Sequence, residues 1–196
     1  MAKLYYQGHG SCRIVTDSGT VIYLDPFAGD GYDLPANLIF VTHEHADHNQ
    51  VDKMPHAPGC VIITEREALK GGRYNDFVLG SVRARAVEAY NRNHRKDASV
   101  GYILTVDGKT VYFSGDTSRT SQMETMAAMK LDWALLPIDG IYNMGPEEAT
   151  ECAALIGAKT VIPIHMKPDT LFDQDMADRF QAPNRLILRP GEEITL

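Results

Sequence analysis

Residues 13–27 read RIVTDSGTVIYLDPF and residues 102–117 read YILTVDGKTVYFSGDT. Each is an apolar, β-branched run, a turn at Asp17-Ser18-Gly19 or Asp107-Gly108, and a second run that stops on an aspartate, Asp25 or Asp116. A short Asp/Gly turn between alternating apolar runs is the strongest local signal of a β-hairpin, because glycine accepts the positive φ that a tight turn requires. One such scheme makes a hairpin. Two of them, each followed by alternating strand and helix signals, make a fold with two related halves.

Downstream of Asp25 the pattern predicts a strand at NLIFV (37–41), a short helix over 47–54, a strand at CVIIT (60–64) and a helix over 64–70. Downstream of Asp116 it predicts a helix over 118–129, a strand at WALLP (133–137), a helix over 146–157 and a strand at TVIPI (160–164). A helix near 173–180 and a strand at RLILR (185–189) follow. The 146–157 segment carries the clearest signals: Pro146 at the first helical position, Glu147 and Glu148 at the positive end, Gly157 as the stop, and Ala149, Cys152, Ala153 and Ile156 on one apolar face. Met123, Met126 and Met129 read as a core stripe. Hairpin-bearing sheets with helices, appearing twice, predict an α/β fold of two mixed sheets face to face with helices outside, an αββα sandwich. No Pro/Gly/Ser-rich linker divides the chain, so residues 1–196 are expected to form a single domain.

The bulk composition narrows the partners. With 196 residues and 44% hydrophobic content, a core can be buried without disulfides. A net charge of −7 excludes a role coating nucleic acid, which needs clustered Lys and Arg. An anionic small-molecule substrate remains compatible if a metal supplies local positive charge. Cys12, Cys60 and Cys152 are odd in number and far apart, which suits thiols in a reducing compartment. MAKLYYQGHG lacks the basic segment and apolar core of a signal peptide, and no apolar run nears the ~18 residues of a membrane span. A cytoplasmic protein without a membrane partner is expected; oligomeric state has no signature here.

VTHEHADHN (41–49) packs three of the seven histidines and an aspartate into six positions, directly after an apolar strand. Loops at strand ends are held by a rigid sheet, which is where α/β proteins place chemistry. Two other apolar runs end the same way: TVYFSG runs into Asp116 and TVIPI into His165. His94 lies in the loop AYNRNHRKD, between the alternating run VRARAVEA and the strand GYILTV. If these ends share one edge, seven ligands converge. His43 and His45, two apart, face the same way and with His94 supply three imidazoles to one ion. Asp47 and His48, past the turn, join His165 on a second ion about 3.5 Å away, and Asp116 bridges both. Open positions would remain for a shared hydroxide, the mark of a catalytic site. The competing readings are plain: His94 as an exposed loop histidine, and Asp116 as a turn residue or helix N-cap.

HEHADH, then His94, then SGDT, then IPIH resembles the metallo-β-lactamase superfamily in order and approximate spacing. YYQGHGSCRI, VIYLDPF, YFSGDT and LLPIDGIYNM resemble more closely its L-ascorbate-6-phosphate-lactonase-like branch of metal-dependent hydrolases. The resemblance spans almost the whole chain. It implies the αββα metallo-β-lactamase fold, a binuclear centre of Zn²⁺ (or Mn²⁺), and hydrolysis. Asp116 stands where antibiotic-degrading members carry Cys, which argues against β-lactam hydrolysis; His45 stands where oxygen-reducing diiron members carry Glu, which argues against redox chemistry. Asp139 stands in PIDG where the branch more often has Gly. Asp25 resembles the family's buried aspartate and is expected to orient a ligating loop. His9 either lines the pocket or is a structural hydrogen-bonder; His56, Arg119 and Lys167 are expected at the surface, the last two within reach of a substrate anion.

The expected reaction is attack by a metal-activated water on a small ester-type substrate, a phosphodiester or a lactone, with no protein nucleophile motif in the chain. Asp47 and metal-bound water are the two candidates for protonating the leaving group. The other reading is a non-catalytic metal-binding or sensing protein that retains the ligand set.

Overall fold

In a computed structural model describing residues 1–196, the chain folds into two six-stranded sheets. The first contains β1 (Lys3–Gly8), β2 (Ser11–Val15), β3 (Val21–Leu24), β4 (Ala36–Phe40) and β5 (His56–Ile63). The second contains β6 (Asp76–Leu79), β7 (Val82–Glu88), β8 (Val100–Val106), β9 (Lys109–Phe113), β10 (Trp133–Pro137) and β11 (Thr160–Ile164). A last strand, β12 (Glu193–Thr195), returns to the first sheet beside β1, giving the orders β12-β1-β2-β3-β4-β5 and β11-β10-β9-β8-β7-β6. Both expected hairpins form. Cys12 pairs with Leu24 across the first turn, and Tyr102 with Phe113 across the second.

Between the sheets lies one core, in which Leu4, Tyr6, Ile14, Leu24 and Phe40 meet Tyr102, Leu104, Phe113, Leu135 and Ile162. Phe40 and Tyr102 are in contact across it, ring centroids 5.1 Å apart. Full burial of each such side chain contributes about 1.5–3 kcal/mol. The outer face of the second sheet is covered by α2 and α3 (introduced with α1 as Glu65–Ala68, Met123–Met126 and Pro146–Ile156) and by α4 (Gln174–Arg179). Ala149, Cys152, Ala153 and Ile156 face inward from α3 as their spacing requires, and Gly157 closes it in a left-handed conformation. The first sheet's outer face, around Tyr23, Ile39 and Val41, is covered more thinly by Tyr32, Leu34 and Met54.

Several expected elements are shorter than their patterns. The 47–54 helix is only a 3₁₀ turn at Val51–Lys53, because the preceding residues are committed to the histidine loop. The 118–129 helix is α2 plus a 3₁₀ turn at Ala127–Met129, so Met123 and Met126 are core while Met129 is 42% exposed. RLILR does not form a strand. Arg185 makes one parallel bridge to Val161, and the chain then leaves to pair as β12. All three cysteines are free, and no helix is long and apolar enough to cross a membrane.

What positions the site is strand direction. β3 and β4 run parallel, as do β9, β10 and β11, so in each sheet the carboxyl ends of these strands share an edge. Asp25, His43, Asp116, Asp139 and His165 all follow those ends.

Candidate metal centre

Asp116 sits at the middle of the edge where the two sheets meet. Its Oδ2 is 3.4 Å from His94 Nε2, 3.4 Å from His165 Nε2 and 4.0 Å from His43 Nε2, and its Oδ1 is 3.5 Å from His48 Nε2. His45 Nδ1 lies 3.0 Å from His43 Nε2. Asp47 Oδ2 lies 3.6 Å from His48 Nε2 and 3.7 Å from His165 Nε2. All seven residues singled out from the sequence are therefore brought together, from loops up to the full length of the fold apart. Two sets of potential ligands lie near Asp116, His43 with His45 and His94, and Asp47 with His48, His165 and His9, and a third group of Asp25, His43 and His48 overlaps both.

The histidine rings are held by what stands behind them. His48 Nδ1 faces Asp25 Oδ2 at 2.8 Å. That carboxylate also accepts the Thr42 hydroxyl at 2.6 Å and the Thr42 N–H at 2.7 Å, and Thr42 Oγ1 in turn lies 3.0 Å from His43 Nδ1. His94 Nδ1 meets Asn91 Oδ1 at 3.0 Å, and His165 Nδ1 lies 3.1 Å from Asp139 Oδ2. The Nδ1 atoms of His48, His43 and His94 are engaged by oxygens, whereas His165 Nδ1 approaches Asp139 without making a hydrogen bond; in all four rings Nε2 is the nitrogen aimed inward. Asp25 thus acts as expected, through the loop.

Three non-glycine residues here adopt the left-handed region: His9 (φ 54°), Asp25 (φ 45°) and His165 (φ 44°). Each costs on the order of 1 kcal/mol or more, and such residues persist where surrounding contacts over-determine them. His165 N–H donates to His9 O at 2.8 Å, and His9 N–H to Leu171 O at 2.7 Å. His9 itself is buried, with Nδ1 3.0 Å from Thr170 O and Nε2 3.1 Å from Asp47 Oδ2. It is a hydrogen-bonding partner of the site. Arg119 turns away to Glu124, Lys167 to Asp173, and exposed His56 to the Val51 carbonyl.

Electrostatically the centre calls for positive charge. Burial opposes charge on His165, but the carboxylates of Asp116, Asp139 and Asp47 override it and push its pKa up to about 9. Burial likewise works against His48, and Asp116 and Asp25 hold its pKa well above the ordinary value. Burial pushes His43 down to about 2, reinforced by His48 and opposed by Asp116. Asp116 and Asp47 remain well below the usual carboxylate range despite burial, held there by the surrounding histidines. The buried Nε2 atoms of His48 and His165 have no hydrogen-bond partner. Orphaned inward nitrogens, converging carboxylates and borderline N/O donors fit divalent transition metal ions. His45 is exposed and the Asp47 side chain is 37% exposed, so the centre opens to solvent on that side.

Of the residues around the centre, Asn91, Thr42 and Asn143 carry no sequence signal of their own. Asp139 was visible only as a departure from the lactonase-like branch.

A family model described as the beta-lactamase superfamily domain matches residues 3–165. A UPF0173 metal-dependent hydrolase of Nitratidesulfovibrio vulgaris is 30% identical over 230 aligned positions, which cover 99% of this chain and 95% of the relative. A candidate metal-dependent hydrolase of Parabacteroides distasonis, of known crystal structure, superposes with a TM-score of 0.76 at 28% identity, covering 94% of this chain and 91% of the other. A metallo hydrolase of the archaeon Ignicoccus hospitalis shares the fold, with a TM-score of 0.76 at 22% identity over 98% and 97% of the two chains.

Proposed function

The chain belongs to the beta-lactamase superfamily, within its UPF0173 metal-dependent hydrolases, and from that premise we propose a binuclear hydrolase that cleaves a small ester-type substrate, a phosphodiester or a lactone. The observation that carries this reading is Asp116, whose two oxygens stand 3.4–4.0 Å from four histidine nitrogens drawn from both sets. In this reading His43, His45 and His94 would hold one ion, Asp47, His48 and His165 the other, and Asp116 would contribute to both, with Zn²⁺ the expected metal and Mn²⁺ its substitute. Such ions would supply Lewis acidity and lower the pKa of water from ~15.7 to about 7.

The protein's own contribution is positional. Asp25, Asn91, Thr42 and Asp139 fix the ring orientations, so little reorganisation is needed when charge develops on the substrate. Asp47, on the solvent side and ionised, would take the proton released by the attacking water and pass it to the leaving oxygen, and His9 Nε2 at 3.1 Å from Asp47 Oδ2 keeps that carboxylate in place. Three free cysteines suit the reducing cytoplasm as its place of action.

The test is elemental analysis of the purified protein followed by assays on bis-p-nitrophenyl phosphate and simple lactones. Two metal equivalents with turnover of one class are expected. Two equivalents with no turnover on any ester would replace this reading with that of a metal-binding or sensing protein.

A further inference from the structure

The first half of the chain joins one histidine of each set through a short polar chain: His43, Thr42, Asp25, His48. The second half contains a longer counterpart. His165 Nδ1 lies 3.1 Å from Asp139 Oδ2; Asn143 Nδ2 donates to that same oxygen at 2.6 Å; Asn91 Nδ2 donates to Asn143 Oδ1 at 3.3 Å; and Asn91 Oδ1 lies 3.0 Å from His94 Nδ1. His165, Asp139, Asn143 and His94 are all at most 8% exposed and Asn91 is half-buried, so water is kept from the Asp139 end of this path more than from its Asn91 end; the His165–Asp139 link is an ion-pair contact and the others are hydrogen bonds.

We infer that Asp139, Asn143 and Asn91 form a relay that positions His94 and His165 together, so that Asn143, which touches neither histidine, sets how tightly both ions are held. The inference rests on the binuclear reading above.

The relay is held rigidly at both ends. Asp139 Oδ1 accepts the backbone N–H groups of Ile141 at 2.6 Å, Tyr142 at 2.7 Å and Asn143 at 3.2 Å, leaving Oδ2 for Asn143 and His165. Asn91 Oδ1 accepts the backbone N–H groups of Asn93 at 2.8 Å and His94 at 2.9 Å, and its Nδ2 also donates to Tyr142 O at 2.9 Å. Each amide therefore has one orientation that satisfies it. Asn91 must present oxygen to His94, so it presents nitrogen to Asn143; Asn143 must then present oxygen to Asn91 and nitrogen to Asp139. The direction of every bond follows from the two ends. A carboxylate at 139 completes this chain, whereas a glycine there would leave Asn143 Nδ2 without an acceptor and His165 without the carboxylate beside its Nδ1.

Partners behind metal-bound histidines affect metal affinity by about 10–100-fold. The test compares wild type, N143A, D139N and the double variant by stepwise Zn²⁺ titration against a chromogenic chelator, starting from metal-stripped protein. Asn143→Ala should weaken both equivalents by about tenfold or more. Asp139→Asn keeps an oxygen for the three backbone donors but turns N–H toward both His165 and the Asn143 amide nitrogen, so it should weaken both equivalents. At each equivalent the double variant should be no weaker than Asp139→Asn alone, since both changes act along one path. In Zn²⁺-loaded protein the Nδ1–H resonances of both His94 and His165 should move in N143A, which general loosening of the loop would not single out. Both affinities within threefold of wild type in N143A, or strictly additive losses in the double variant, would overturn the relay. A wild-type chain taking up one equivalent or none would overturn the binuclear reading, and the relay with it.

Discussion

Asp116→Asn removes the central charge while keeping the shape of the side chain, and its effect is calculable in the metal-stripped protein. Asp116 Oδ2 is 3.4 Å from His165 Nε2. At an effective dielectric constant of about 20, opposite unit charges at ~3.4 Å attract by about 5 kcal/mol. One pH unit of pKa corresponds to ~1.4 kcal/mol, so losing the charge should lower His165 by roughly three and a half pH units. Its midpoint should move from about 9 to roughly 5.5. The assay is NMR titration of the His165 ring in chelator-treated protein, with His165→Ala for assignment. A second readout comes from linkage. Because the folded-state pKa is raised above the ordinary 6.5, protonated His165 contributes stability that is fully present below about pH 6.5 and lost as pH rises through about 9. Metal-free wild type should therefore lose stability across that window, and Asp116→Asn should lack this contribution. A midpoint displaced by less than about one pH unit would refute Asp116 as the charge that organises the centre.

Three more outcomes follow from the same geometry. His48→Ala and Asp116→Ala should each lose metal and hydrolytic activity together while retaining the native circular dichroism spectrum; activity retained in either removes that residue from the ligand set. Because His48 and His165 hold protons at neutral pH in the metal-free centre, an incoming cation must displace them. Apparent Zn²⁺ affinity should thus rise at least ~tenfold per pH unit up to about pH 9, measured with a pH-independent competitor; a flat profile from pH 6 to 8 would contradict it. Gly115 has φ +62°, and a Cβ there would stand 2.8 Å from Thr42 Cβ. Gly115→Ala should cost about 3 kcal/mol in urea unfolding, by left-handed strain plus overpacking, and a loss below ~1 kcal/mol would show that Thr42 can yield.

The hairpins were legible because their determinants are local: an Asp/Gly turn and alternation on either side. Helix α3 was legible for the same reason, with Pro146 and Gly157 marking its ends. The histidine loop was legible because three imidazoles in six positions have few other uses. RLILR misled because its composition suits a strand, while its place beyond β11 allows one bridge before the chain crosses to the other sheet. The 118–129 and 47–54 helices were overdrawn because loop contacts took up their first residues: Ser118 N–H donates to Tyr90 O, Arg119 N–H to Glu148 Oε1 and His48 N–H to His45 O. The polar groups behind the rings were hidden for a different reason. Asn91 meets Asn143 across 52 positions, and nothing in YNR or YNM announces that pairing.

His9, Asp25 and His165 hold backbone angles that glycine would adopt more readily than they do. Glycine at these places would ease the backbone by on the order of 1 kcal/mol each, but it would also strand the buried carboxylates and imidazoles that these side chains pair with. The strain is therefore retained even in the empty protein, and a screen for heat resistance run without metal should keep His165 and Asp25.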